Sequence, residues 1–461
     1  NRRDFVQLGA AGLGAAALGT ARDASAERPM DAPAIPTGKD DRTVRLAFLG
    51  VGLRGRAHLR LALERDDTEV VAINDIDPEA IAEAQAMIRE AGREEAAVYD
   101  AGEHAFEDAV ARDDVDGVIV ATPSGWHVPM AVAAMKNGAY VGVEVPAALT
   151  VAGCWELVRT SEATGMPCMM LENVCYRRDV MAVLHMVRQG LFGELVHLEG
   201  GYQHDLREVK FNDGTQPYGG GVEFGEKAVS EARWRTQHSV KRNGDLYPTH
   251  GVGPVATMVD INRGNRFLTL TSTASKARGL HQHVIEHEHG GPDHPNANVR
   301  FRLGDVVTTV IRTANGETIE ITHDTNLPRP YSLGFRVQGT RGIWMDLNDG
   351  IYLEGTSPEH RWEDAAPYLE KYDHPLWQRY AGRATGAGHG GMDFFVLHAF
   401  IESVKRGVET PLDVYDAAAW SAISPLSEAS IAEGSAPQSF PDFTGGRWVH
   451  REPVFALDDA Y

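Results

Sequence analysis

Two groups of residues carry spacings that could do chemistry. The first is Gly50-Val51-Gly52-Leu53-Arg54-Gly55, which follows a short β-rich run and opens a helical pattern. Glycine is needed at each place for its own reason: a tight turn at Gly50, approach of backbone to a pyrophosphate at Gly52, and close helix packing at Gly55. The helix start then turns its unpaired N–H groups toward the phosphates. A second β-rich run, 69–73, ends at Asn74-Asp75, where an acidic side chain can take both ribose hydroxyls and repel a 2′-phosphate. That pattern predicts NAD rather than NADP. The second group is spread over Gly200-Gly201-Tyr202-Gln203-His204-Asp205, Ala232-Arg233-Trp234-Arg235 and Tyr247-Pro248-Thr249-His250-Gly251. A phenol and an imidazole three residues apart at a Pro-marked helix start can face one cleft, and both can be tuned for proton transfer. Taken alone, each of these blocks reads more simply as a capped helix start with a core tyrosine.

The elements that must position these residues follow from periodicity. Strands at 43–49, 69–73, 115–121 and 140–143 alternate with helices at 78–91, 106–112 and 128–137. Strands separated by helices of this length imply right-handed parallel crossovers, hence an α/β fold with a doubly wound Rossmann domain over 43–171. Its ligand belongs at the carboxyl ends of the strands, where Ser124, Trp126, His127 and the Glu144-Val145-Pro146 turn lie. From residue 172 to 461 the pattern changes to a helix at 179–189 and alternating strands at 195–202, 267–275, 299–313 and 318–324. A helix beginning near Tyr247 should run to about 261, and another from the Gly388–Asp393 block to 406. This half is expected to be an α+β substrate domain with a large mixed, mostly antiparallel sheet.

Composition narrows the partners. With 44 basic against 65 acidic residues the formal charge is -21, which repels nucleic acid and anionic membranes. The three cysteines match no zinc pattern and read as buried thiols. The His-rich stretch His281, His283, His287, His289 and His294 has no fixed metal spacing, and Gly290-Gly291-Pro292 marks a loop, so a solvated segment and no metal site are expected. Residues 1–26 combine Arg2-Arg3, an apolar stretch too short to span a bilayer and Ala24-Ser25-Ala26, the pattern of a twin-arginine export signal cleaved near Ala26. A linker over 27–42 follows, and the mature protein is expected to be exported, periplasmic, and without a membrane span. Homo-oligomerisation is left open.

The Gly50 turn, the Thr122 to His127 segment and Glu144-Val145-Pro146 resemble the glucose-fructose oxidoreductase, inositol dehydrogenase and MocA family. Its dehydrogenases carry a Lys where this chain has Val145, and valine cannot move protons. GGYQHD, GVEFGEKAVSEARWR, YPTHG, NLPRPY, GHGGMD and PLDVYD together resemble a branch of that family, glycoside hydrolase family 109, the NAD-dependent α-N-acetylgalactosaminidases, over 43–461. The resemblance implies cofactor positions at Leu53, Arg54, Asp75, Ser124, Trp126, His127, Glu144, Val145 and Asn173. It implies sugar positions at Tyr202, Arg235, Tyr331 and the run Tyr247, Pro248, Thr249 and His250. It also implies hydrolysis by oxidation at C3, elimination across C1–C2, addition of water and reduction, with NAD regenerated in each turnover. Catalysis is expected from His250 at the C3 hydroxyl proton, and from Tyr202 and Tyr247 at the C2 proton and the enolate. The alternatives are an NAD-dependent sugar dehydrogenase or epimerase, which the absent Lys disfavours, and a noncatalytic protein that binds nucleotide or sugar.

Overall fold

The computed structural model describes residues 42–461; the expected export signal and nearly all of the linker lie outside the described residues. The first half alternates β1 (Val44–Leu49), α1 (Leu53–Leu63), β2 (Thr68–Asn74), α2 (Pro78–Glu90), β3 (Ala97–Tyr99), α3 (Phe106–Val110), β4 (Gly117–Val120), α4 (His127–Lys136), β5 (Tyr140–Val143), α5 (Val151–Thr164) and β6 (Cys168–Met170). The strands pair in the order β3-β2-β1-β4-β5-β6, all parallel. Every residue of β4 and β5 is buried, as expected of parallel strands covered by helices on both faces. Local signals set the helix ends. Asp77 accepts from the Glu79 N–H at 3.0 Å ahead of Pro78, and Thr150 accepts from the Gly153 N–H at 3.0 Å.

In the second half α6 (Arg178–Arg188) precedes a nine-stranded sheet of order β14-β13-β12-β11-β7-β10-β9-β8-β15. Its strands are β7 (Leu195–Gln203), β8 (Phe267–Ala274), β9 (Val306–Thr313), β10 (Thr318–Asp324), β11 (Arg336–Gly339), β12 (Gly342–Met345), β13 (Gly350–Leu353), β14 (Glu363–Asp364) and β15 (Gln438–Ser439). Only the β7–β10 pair is parallel. The helices of this half include α7 (Arg235–Lys241), α8 (Thr249–Met258), α9 (Gly279–Glu286), α10 (Met392–Arg406), α11 (Val414–Ser421) and α12 (Ile423–Ala432), with α8 packed on β7 and α12 on β8. The α8–β7 contact is unusually close because glycine lies on both sides. A Cβ on Gly200 would come within 2.3 Å of the Gly251 carbonyl oxygen, and one on Gly251 within 2.5 Å of the Gly201 nitrogen. The Tyr202 and His250 side chains are thereby brought side by side.

Three expectations shift. The strand expected over 299–313 begins only at Val306, because the Arg302 and Leu303 N–H groups donate to the Ser239 carbonyl and Phe301 turns into a small second core with Phe211, Leu280 and Val284. The helix expected to reach 261 stops at Met258, since Asp260 and Asn262 take positive φ. The His-rich stretch is not all loop: His281 and His283 lie on α9, where the His283 ring stacks on Phe211 at 5.5 Å.

Candidate functional site

One cavity of about 570 Å³ runs from the Gly50 turn to the aromatic residues of the second half. On the nucleotide side, Gly50 has φ +87, and a Cβ there would lie 2.8 Å from Ala121 backbone. A Cβ on Gly55 would lie 2.0 Å from the Gly50 oxygen, so the turn closes only with glycine at both positions. Gly52 differs: nothing lies within 4 Å of where its Cβ would be, and it borders the cavity. This backbone, open above Gly52 and followed by the start of α1, fits a dinucleotide pyrophosphate. Asp75 also lines the cavity, and its carboxylate accepts from the Val51, Ile76 and Asp77 N–H groups at 2.8, 2.8 and 3.0 Å. It therefore holds the turn as well as facing the cavity.

Leu53, Ser124, Trp126, His127, Glu144, Val145 and Asn173 line the same cavity. The His127 ring clasps two strand-end loops, with Nδ1 2.9 Å from the Pro146 oxygen and Nε2 2.8 Å from the Thr122 oxygen. Both of its polar atoms are thus engaged with protein. Arg54 is the hub of a charge network. Its Nε donates to Glu144 at 2.5 Å and its Nη1 to Asp393 at 2.8 Å. Glu144 also meets buried His58 at 2.7 Å, and Asp393 accepts from Asn173 at 2.7 Å and pairs with His389 at 2.7 Å. Burial opposes ionisation of Glu144, but the Arg54 charge and the His58 hydrogen bond outweigh it and hold this carboxyl far below its usual range. Asp393 is depressed in the same sense, burial being overcome by His389 and Arg54.

The opposite wall is aromatic. The ring centroids of Tyr202, Tyr247 and His250 lie 4.7, 4.9 and 5.2 Å apart pairwise. Behind them, His250 Nδ1 is 2.7 Å from Glu172 Oε1, and this carboxylate is completely buried. Arg235 lies over the Tyr247 ring at 5.5 Å and pairs with Glu231 at 2.6 Å. Burial pushes the phenols of Tyr202 and Tyr247 up; Arg235 pulls both the other way without prevailing, so both are protonated donors at neutral pH. Tyr202 also reaches His204 at 3.3 Å, and Tyr331, half exposed, meets the His204 ring at 4.9 Å.

Of the sequence-predicted site residues, Gly55, Pro248, Thr249 and Tyr331 do not line the cavity. Gly55 packs against the Gly50 turn, buried Pro248 and Thr249 lead α8, and Tyr331 stands outside through His204. Glu172, His58 and Asp393 were not singled out as site residues from sequence. Asp393 had a visible signal, since it closes the Gly-rich block that leads into α10 and sits in the first turn of that helix. Glu172 and His58 had none, because a lone carboxylate or imidazole in a core segment has no motif.

Residues 44–172 match the family model described as an oxidoreductase family with an NAD-binding Rossmann fold, and residues 176–450 match the C-terminal domain of glycosyl hydrolase 109. A glycosyl hydrolase family 109 protein of Stenotrophomonas maltophilia (strain K279a) is 54% identical over 433 residues, covering 93% of this chain and 95% of the relative. An alpha-N-acetylgalactosaminidase of Tannerella forsythia is 53% identical over 466 residues, covering 99% of each chain. A levoglucosan dehydrogenase solved in complex with NADH superposes with a TM-score of 0.63 at 20% identity, covering 87% of this chain and all of that one. That last likeness concerns the fold.

Proposed function

Since the chain belongs to glycosyl hydrolase family 109 and begins its described fold with an NAD-binding Rossmann domain, we propose that this glycosidase removes terminal α-linked N-acetylgalactosamine by transient oxidation at C3. The observation that carries this reading is His250, backed by buried Glu172, in the same cavity as the Gly52 backbone and flanked by two phenols. NAD held along Gly50 to Leu53, with Asp75 at its ribose and Ser124, Trp126, Glu144, Val145 and Asn173 around it, would supply a reversible acceptor for the C3 hydride.

His250 does the first proton work. Glu172 fixes Nδ1 as the N–H donor, which leaves the Nε2 lone pair to take the C3 hydroxyl proton. A C3 ketone acidifies the C2 hydrogen, and Tyr202 and Tyr247 are placed for that proton and for the enolate oxygen. One phenol, its proton lost to solvent with Arg235 holding the phenolate, takes the C2 proton, while the other, still protonated, donates to the enolate oxygen. The C1–O bond then breaks with the C2 proton passing to the leaving oxygen, water adds at C1 as C2 regains a proton, and return of hydride to C3 would take back the proton held on His250. Val145 presents no competing proton carrier at the turn where the dehydrogenases of the wider family place a lysine.

The test is incubation of freshly purified protein with chromogenic glycosides and no added nucleotide, in deuterated solvent. Cleavage of the α-N-acetylgalactosaminide with deuterium at C2 of the product is expected; release with C2 protium retained rejects the elimination route. Residues 2–26 support delivery of the folded, cofactor-loaded enzyme through the twin-arginine path. Fractionation of cells carrying Arg2→Lys with Arg3→Lys tests this, with retention in the cytoplasm expected.

A further inference from the structure

The cavity lining extends beyond the aromatic residues. Near Tyr202 and Arg235 the same cavity is lined by Lys210, His323, Thr325, Ser239 and Leu303, a patch we treat as one lobe. His323 is the register partner of Tyr202 in the parallel β7–β10 pair, so the two side chains stand together on one sheet face. Both basic residues of the lobe are 3% exposed. The Lys210 Nζ donates to the Thr325 carbonyl at 3.3 Å, the Thr325 hydroxyl at 2.7 Å and Asn326 Oδ1 at 2.5 Å. All three acceptors are uncharged, and among the described residues no carboxylate forms an ion pair with it. The nearby cations are already matched, Arg235 by Glu231 and Arg242 by Glu428 at 2.7 Å. The His323 ring has a buried Nδ1 with no hydrogen-bond partner.

A buried ammonium with no carboxylate in contact is costly, and proteins either pair such a group or place it where a ligand completes it. Burial, reinforced by the Arg235 charge, presses Lys210 down to about 7 against the opposing pull of Asp305, Asp205 and Asp324, none of which forms an ion pair with it. Burial and the two cations push His323 down to about 3, leaving a neutral imidazole with a free hydrogen-bonding atom. We propose that this lobe is an oxyanion subsite, in which Lys210 supplies the field and His323 a hydrogen bond to a carboxylate or sulfate carried on the bound sugar. The placement of that sugar rests on the functional reading above. The same chemistry would also accept a free inorganic anion, so the test includes both sources.

Binding to the NAD-loaded enzyme is measured by calorimetry with N-acetylgalactosamine, its 4- and 6-sulfates, the corresponding uronic acid, inorganic sulfate and acetate. At least one anionic sugar is expected to bind about tenfold tighter than the neutral one. Lys210→Met and His323→Phe are each expected to shrink that preference to about threefold or less while retaining bound NAD and affinity for the neutral sugar. Should Lys210→Met fail to fold, His323→Phe, which removes no hydrogen bond, carries the test. Binding of sulfate alone that either variant abolishes keeps the subsite and assigns it to a free anion. Equal binding of neutral and anionic sugars with no binding of inorganic anions overturns the proposal, as does a preference that survives both variants. Because no turnover is needed, an enzyme that binds anionic sugars yet cleaves no glycoside loses the glycosidase reading and keeps the subsite.

Discussion

Arg54 and Arg235 are both guanidinium groups set into the walls of one cavity, yet their surroundings differ in kind. Arg54 faces two carboxylates, Glu144 and Asp393, which are themselves tied to His58, Asn173 and His389. Arg235 faces one carboxylate, Glu231, and two phenols that burial keeps protonated. Where charges cancel, the network fixes a shape for a cofactor that must be held. Where a cation is shared between a carboxylate and two weak acids, protons can move. Burial makes both walls rigid; only the aromatic one leaves titratable groups that substrate chemistry can use.

The contrast can be broken at several points. The largest effect is expected on the aromatic wall: His250→Ala and Tyr202→Phe should each lower kcat by roughly a hundredfold to ten-thousandfold, with bound NAD unchanged by absorbance. Full activity in either variant removes that residue from the mechanism. On the nucleotide wall, Arg54→Met leaves Glu144 and Asp393 without their shared cation, and unfolding in denaturant should show a loss of about 3 kcal/mol. A stability equal to wild type would show that the network does not hold the shape. Gly52→Val should fold normally, because its Cβ meets no protein atom, yet release NAD on gel filtration with affinity weakened about tenfold or more.

The smallest effect concerns pH, and here the two walls have opposite signs. Glu144 and Asp393 stay ionised in the folded chain where the unfolded chain takes up protons near ~4. Their contribution is therefore full above that value and fades as pH falls through the lower folded values. Asp245, in the loop whose carboxylate accepts from the Tyr247 N–H at 3.2 Å, is pushed by burial up to about 7. The unfolded chain releases that proton near ~4, so its contribution declines as pH rises from there to about 7. Asp245→Asn should consequently raise stability at pH 8 by on the order of 1 kcal/mol and leave it unchanged at pH 3, as read from thermal unfolding. A gain of equal size at both pH values would show that the carboxyl titrates alike in the folded and unfolded chain.

How legible each wall was in the sequence follows from the same physics. The nucleotide wall rests on short β-rich runs that alternate with helices, so β1, β2, β4, β5 and the Gly50 turn could be read to within a residue or two, whereas the three-residue strands β3 and β6 are too short to show a pattern. Its charge network could not, because Arg54 meets Asp393 across 339 positions and His58 meets Glu144 across 86. On the aromatic wall the Tyr202, Tyr247 and His250 blocks stood out by residue type, and the close approach that joins them depends on Gly200, Gly201 and Gly251 meeting in space. The apparent strand at 299–305 misled because alternation of apolar and polar residues there serves a chain segment that hydrogen-bonds to Ser239 and buries Phe301, not a ladder. Lys210 carried no signal at all, since a lysine in the short charged helix Arg207–Lys210 looks like solvent-facing charge until the fold encloses it.

The Arg54–Asp393 contact has a consequence for biogenesis. A ribosome that has released the first 200 residues has made the glycine turn and all six parallel strands, yet the carboxylate that locks Arg54 and Asn173 is still untranslated. Firm retention of nucleotide is therefore expected only after most of the polypeptide has emerged, and a fragment ending near residue 175 should exchange its dinucleotide freely even if it folds.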